Sequence, residues 1–142
     1  MTIAAILGGK GRTVHSIACT APVRDAIALL AENRIGALPV MKGEAVVGIM
    51  SERDVIYCLK SDGAAILDWP VERVMTMPAI TVAMDFGVMA ALSLMTRRRM
   101  RHLPVIENGR LTGIVSIGDL VKYRIDKIEQ EAEAMRAYIQ SA

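Results

Sequence analysis

Apolar positions along the chain fall into two sets that share one rhythm. Val23, Ala26, Ile27 and Leu30 form one set, and Val88, Ala91, Leu92 and Met95 form the other. Each is the i, i+3, i+4, i+7 stripe of a helix packed on one side. Pro22 suits the first turn of the earlier helix. A short apolar segment precedes each stripe, at His15–Ala18 and at Ile80–Ala83, and predicts a strand. Two more strands follow each helix. Ala37–Met41 and Ala45–Met50 flank Lys42-Gly43-Glu44, while Leu103–Ile106 and Leu111–Val115 flank Glu107-Asn108-Gly109-Arg110. The Asn-Gly pair is a strong hairpin signal. A further helix opens at Ser51 and again at Ser116. Each half therefore reads strand–helix–strand–strand–helix, an α/β (α+β) arrangement.

The rhythm is a sequence repeat. Sliding the chain by 65 residues pairs Ser16–Asp54 with Thr81–Asp119 without a gap, and 12 of the 39 pairs are identical. Among them are Leu38-Pro39-Val40 with Leu103-Pro104-Val105, and Gly48-Ile49 with Gly113-Ile114. A half of about 60 residues is marginal as an independent fold. Two copies packed around pseudo-two-fold symmetry are the economical arrangement, with the first half at 1–67 and the second, with a linker helix and a C-terminal helix, at 68–142.

Asp68 is placed to cap a short linker helix over Val71–Met75, ended by Met77-Pro78. Gly8-Gly9-Lys10-Gly11 lacks the ending of a phosphate-binding P-loop and reads as a flexible lead-in. At the C-terminus Ile125, Ile128, Ala132, Met135 and Ile139 form a heptad-like stripe against charged positions. That stripe fits docking on its own domain or on a second subunit.

Composition narrows the classes. The chain has 142 residues, is 53% apolar and 23% charged, and carries a net charge of +2. It can build a core, and its charge is too mild to argue for non-specific nucleic-acid binding. Mean hydropathy is +0.36, yet the longest uncharged stretches, Val74–Met84 and Phe86–Thr96, are separated by Asp85 and too short for a membrane span. Ten methionines suit an adaptable core. Cys19 and Cys58 make no disulfide framework or metal spacing. With no secretory leader in evidence, a reducing cytoplasm is expected. His15 and His102 are far apart in sequence, and no set of groups announces catalysis or a metal.

The most informative segments are Gly48-Ile49-Met50-Ser51-Glu52-Arg53-Asp54 and Gly113-Ile114-Val115-Ser116-Ile117-Gly118-Asp119. Each ends a strand and opens a helix. Ser followed by Asp three positions on is close to a capping box. The same groups also suit a nucleoside: a carboxylate accepts both ribose hydroxyls, and a helix N-terminus favours phosphate oxygens.

These duplicated segments, with Ala37-Leu38-Pro39-Val40 and His102-Leu103-Pro104-Val105 ahead of them, resemble the CBS domain, and the tandem resembles a Bateman module. The resemblance covers about Val14–Lys60 and Ile80–Ile125. It implies an adenosine ligand between the repeats, among AMP, ADP, ATP, NAD(H) and S-adenosylmethionine, with no metal. Asp54 and Asp119 would hold ribose hydroxyls, and Ser51 and Ser116 would touch ribose or phosphate. Ser16-Ile17 and Thr81-Val82, with Ala37-Leu38-Pro39 and His102-Leu103-Pro104, would flank adenine. Arg53 in one copy and Arg101-His102 in the other would read phosphate, so the two sites are expected to be unequal. The family often forms dimers through its helices.

The run Arg97-Arg98-Arg99-Met100-Arg101 fits a solvated helix end, and Arg101 and Arg99 fit phosphate contact. Nucleic acid is disfavoured there, since no aromatic stacking platform adjoins it. The reading is a non-catalytic regulatory module that binds an adenine nucleotide, forms a homodimer and acts on an effector protein away from membranes. Its competitors are a structural dimerisation module with vestigial sites, a nucleic-acid binder using Arg97–Arg101, and a nucleotide hydrolase.

Overall fold

The computed structural model describes residues 1–141. Its elements are α1 (Ile3–Lys10), β1 (Ile17–Ala18), α2 (Val23–Asn33), β2 (Ala37–Lys42), β3 (Ala45–Ser51) and α3 (Glu52–Asp62), then 3-10 turns at Gly63–Asp68 and Val71–Arg73. The second half follows with β4 (Val82–Ala83), α4 (Val88–Arg98), β5 (His102–Glu107), β6 (Arg110–Ser116) and α5 (Ile117–Ser141). Each half holds a three-stranded sheet, β1-β2-β3 and β4-β5-β6. The first pair of each sheet is parallel and the second antiparallel. The expected order of strands and helices is the observed one. Asn108 and Gly109 both take positive φ, which the tight β5–β6 turn requires.

Each sheet packs one face on two helices. The first core gathers Val23, Ala26 and Leu30 of α2 against Leu38, Val40 and Met50. The second gathers Val88, Ala91 and Met95 of α4 against Leu103, Val105 and Val115. The predicted helical stripes are thus the buried faces.

Two segments depart from expectation, and they do so in the same way. The residues before each half close the core of the other half. α1 is a helix rather than a flexible lead-in, and Ile3, Ile6 and Leu7 are buried in the second core. Val71 and Val74 in the linker are buried in the first. The backbone contacts match as well. Ile3 N donates to Phe86 O (2.9 Å) and Ala4 N to Met84 O (2.9 Å), as Val71 N does to Ala21 O (2.8 Å) and Glu72 N to Cys19 O (3.0 Å). Gly48 and Gly113 lie beneath these segments. A Cβ at Gly48 would sit 2.5 Å from Met75 Sδ, and one at Gly113 would sit 2.9 Å from Leu7 Cδ1. Only glycine admits so close a crossing.

Asp68 caps nothing. It ends a 3-10 turn, and its carboxylate accepts from Arg24 Nη2 at 2.7 Å, while Pro70 opens the Val71–Arg73 turn. The C-terminal stripe does not dock on its own domain: of α5 only Leu120 is buried, and Ile125, Ile128, Met135 and Ile139 are exposed.

Candidate functional site

The two Ser/Asp pairs cap their helices as expected. Ser51 N donates to Asp54 Oδ2 (2.8 Å), and Asp54 N donates back to Ser51 Oγ (3.3 Å). Ser116 N donates to Asp119 Oδ2 (2.8 Å), and Asp119 N to Ser116 Oγ (3.1 Å). This geometry holds each carboxylate over the first turn of its helix. The caps are alike, but the further partner of each carboxylate differs: it reaches Oδ1 of Asp54 and the capping oxygen Oδ2 of Asp119.

At Asp54 the second partner is neutral. Thr76 Oγ1 donates to Asp54 Oδ1 at 2.9 Å. Thr76 is held there by paired backbone bonds with Ile49, at 3.0 and 2.9 Å. A cavity of about 510 Å³ opens beside it. Its walls come from both halves: Ser51–Asp54 at the start of α3, the linker at Thr76–Pro78, and Arg98–His102 between α4 and β5. The basic run therefore faces the carboxylate of the opposite repeat. Arg99 takes a left-handed conformation (φ 53°) that ends α4 and turns the chain into the cleft. Arg53 Nη1 reaches Arg99 O at 3.5 Å, so a fourth guanidinium joins Arg98, Arg99 and Arg101 at the wall.

At Asp119 the partner is charged. Lys10, the last residue of α1, donates to Asp119 Oδ2 and to Ile114 O, each at 2.7 Å. Burial pushes the Asp119 carboxyl up, but the Lys10 ammonium and the Ser116 backbone and hydroxyl outweigh it, so it lies below its ordinary value.

His102 stands where the two environments meet. Its ring lies against Gly36 and the Glu52 carboxylate, since a Cβ at Gly36 would approach Cε1 to 3.2 Å and Glu52 Oε1 to 3.3 Å. Burial, and then the Lys10 charge, hold the imidazole below its ordinary value, while Glu52 and Asp119 oppose them.

Of the expected site residues, Ala37, Ser51, Arg53, Asp54, Arg101 and His102 line this cavity. Ser116 and Asp119 lie at the Lys10 position instead. Ile17, Leu38, Val82 and Leu103 are core residues, Pro39 and Pro104 are buried in their strands, and Ser16 and Thr81 are exposed beside β1 and β4. Sequence reasoning missed Thr76, Met77, Pro78 and Glu52 in the wall, and Lys10 at Asp119. The available signal was Ile3-x-x-Ile6-Leu7 recurring as Val71-x-x-Val74-Met75. That match runs at an offset of 68, from Ile3 to Val71, so the ungapped 65-residue comparison passes over it. Among the described residues no group of His, Cys, Asp or Glu is placed to hold a metal ion.

Two α+β repeats that exchange their opening segments and share a cleft define a duplicated two-repeat module. The chain belongs to the CBS domain family, whose pattern matches residues 11–61 and 71–126, one copy in each half. It is 35% identical to the mitochondrial CBS domain-containing protein CBSX3 of Arabidopsis thaliana, over 98% of this chain and 72% of that one. A solved CBS-domain protein from Burkholderia ambifaria superposes with a TM-score of 0.83 at 40% identity, covering 89% of this chain and 95% of that one. The structure of CBSX2 in complex with AMP superposes with a TM-score of 0.69 at 25% identity, covering 82% and 90%.

Proposed function

We propose that this protein is a non-catalytic sensor that binds an adenine nucleotide in the Asp54 cavity and passes the occupancy to an effector protein. The observation that carries this reading is the opposition, across one cavity, of a carboxylate–hydroxyl pair and four guanidinium groups. Asp54 and Thr76 suit ribose hydroxyls, the apolar wall at Ile49, Met77 and Ile80 suits a base, and the arginines suit phosphate. None of Arg53, Arg98, Arg99 and Arg101 has a carboxylate partner among the described residues. That surplus of positive charge favours di- and triphosphates over a monophosphate. CBSX2, whose structure holds AMP, has the same fold and supports the adenine class.

The ligand would bridge the repeats and favour one relative arrangement of them over another. Two copies would pair through exposed apolar positions on α3 and α5, such as Ile56, Tyr57, Ile125 and Ile128. No helix among the described residues is long and apolar enough to cross a membrane. Both cysteines are free, which suits a reducing compartment such as the cytoplasm.

The test is thermal unfolding of nucleotide-free protein with AMP, ADP, ATP, NAD, NADH and S-adenosylmethionine, with GTP as control. A ligand at about 100 times its Kd adds about 2.7 kcal/mol, a rise of roughly 5–10 °C for a chain of this size. The shift is expected with adenine nucleotides, absent with GTP and lost in Asp54→Ala. No shift with any adenosine compound would turn the reading to the structural dimer.

A further inference from the structure

We propose that the far part of α5, residues 127–141, forms a parallel coiled coil with the same segment of a second copy, so that the dimer sets like half beside like half. This rests on the pairing of two copies through α5, and it gives that pairing a direction and a register.

The helix outruns its support. The CBS pattern ends at residue 126, yet α5 continues to Ser141. The 15 residues from Lys127 to Ser141 add about 22 Å of helix beyond the repeat. Leu120, one turn into the helix, is its only buried residue. Among the described residues no side chain from Lys127 onward is hydrogen-bonded to another element: Arg136 holds Glu133, and Ser141 Oγ donates to Tyr138 O, both within α5.

The seam is regular. Val121, Ile125, Ile128, Ala132, Met135 and Ile139 are spaced 4, 3, 4, 3 and 4 apart. That is the a/d pattern of a coiled coil, carried without a break from the repeat into the extension. All but Ala132 are exposed, from 43% at Val121 to 64% at Ile139. A second helix with the same spacing covers such a seam knob into hole.

Charge selects the occupant and its direction. Lys122, Glu129 and Arg136 follow the d positions, and Arg124 and Glu131 precede the a positions. In a parallel pair each residue before an a position faces the next residue after a d position on the other helix. Arg124 then meets the partner's Glu129, and Glu131 meets the partner's Arg136. Two-fold symmetry doubles both pairs. In a fully overlapping antiparallel pair Lys122 meets the partner's Arg136, while Glu129 and Glu131 each meet their own copies. Every one of those contacts joins like charges, and sliding the helices by a heptad relieves them only by uncovering one end of the seam. Arg124, Glu129 and Glu131 have no ion-pair partner among the described residues. Arg136 has only the exposed Glu133 at 3.0 Å, a weak pair that leaves it available across the seam.

Disulfide trapping in the full chain tests the direction, with Cys58→Ser removing the half-exposed native thiol and diamide as oxidant. In the parallel pair position 135 faces itself. In the antiparallel pair the two copies lie about 15 Å apart along the axis, too far for a disulfide. Met135→Cys is therefore expected to give a covalent dimer on a non-reducing gel. Glu129→Arg should weaken dimerisation about tenfold in sedimentation, and adding Arg124→Glu should restore it, which the antiparallel pair does not predict. Melting curves check that each variant is folded. The parallel coil is overturned if a dimer forms but Met135→Cys does not cross-link, if Glu129→Arg leaves dimerisation unchanged, or if the charge swap fails to rescue it. A monomeric wild type would overturn the pairing through α5 and the coil with it. Neither result bears on the nucleotide reading of the Asp54 cavity.

Discussion

Gly48→Ala tests how the linker is fastened to the site. The new methyl would lie 2.5 Å from Met75 Sδ and 2.8 Å from the Thr76 carbonyl oxygen. The thioether can swing aside, but the carbonyl is backbone. A carbon–oxygen contact relaxes at about 3.3 Å or more, so the strand of linker must retreat by about half an ångström. That retreat strains two backbone hydrogen bonds between Ile49 and Thr76, at 3.0 and 2.9 Å, and draws the Thr76 hydroxyl off Asp54. Overpacking costs about 1–3 kcal/mol, and each weakened bond up to about 1 kcal/mol. A loss of about 2–4 kcal/mol is expected in urea unfolding. Gly113→Ala is the internal control: it meets the terminal methyls of Leu7 at 2.9 and 3.0 Å, the yielding end of a side chain. It should cost about 1–2 kcal/mol. The reasoning is refuted if Gly48→Ala unfolds within about 0.5 kcal/mol of wild type, or if Gly113→Ala is the costlier of the two.

Leu7→Ala should destabilise the chain by about 2–5 kcal/mol in the same assay, as a core truncation does; a change near zero would mean that α1 is not part of the second core. His102 is held below its ordinary value of 6.5 by burial and by Lys10. Between its folded value and 6.5 the unfolded chain binds more protons, so stability should fall as the pH drops through that window and level off beneath it. His102→Asn should flatten that part of a pH series. Phosphate beside the ring favours the imidazolium, so ADP affinity should rise on acidification through the same window, and a fall would place the phosphates elsewhere. Ile125→Glu should shift sedimentation from dimer toward monomer, and an unchanged profile would remove α5 from the interface.

The repeat unit was legible because its strands, helices and hairpins follow one another without insertion at a fixed offset. Periodicity marked Val23–Leu30 and Val88–Met95 as buried faces, and the Ser/Asp spacing marked both caps. What the sequence withheld is where segments go after they leave a half. Nothing local in Gly8–Gly11 says that Lys10 will meet Asp119, more than a hundred residues on. Nothing in Arg97–Arg101 says that its guanidinium groups will face Asp54 rather than Asp119 of their own repeat. Asp68 has the residue type of a cap, but Pro70 starts the next turn and Arg24 claims the carboxylate. Each of these outcomes depends on the crossing of the two opening segments, which a comparison at a single offset cannot detect.

That crossing has a consequence for how such a chain comes together. Neither half can seal its own interior, because the segment that completes it is covalently attached to its twin. A lone half would have to find a second copy and trade opening segments with it, so the fused chain is in effect a permanently tethered pair. The tether replaces a bimolecular encounter by an intramolecular one at high effective concentration. The same contacts can be satisfied between chains if α1 of one molecule reaches the second half of another, which makes segment exchange a ready route to swapped dimers when the protein refolds at high concentration.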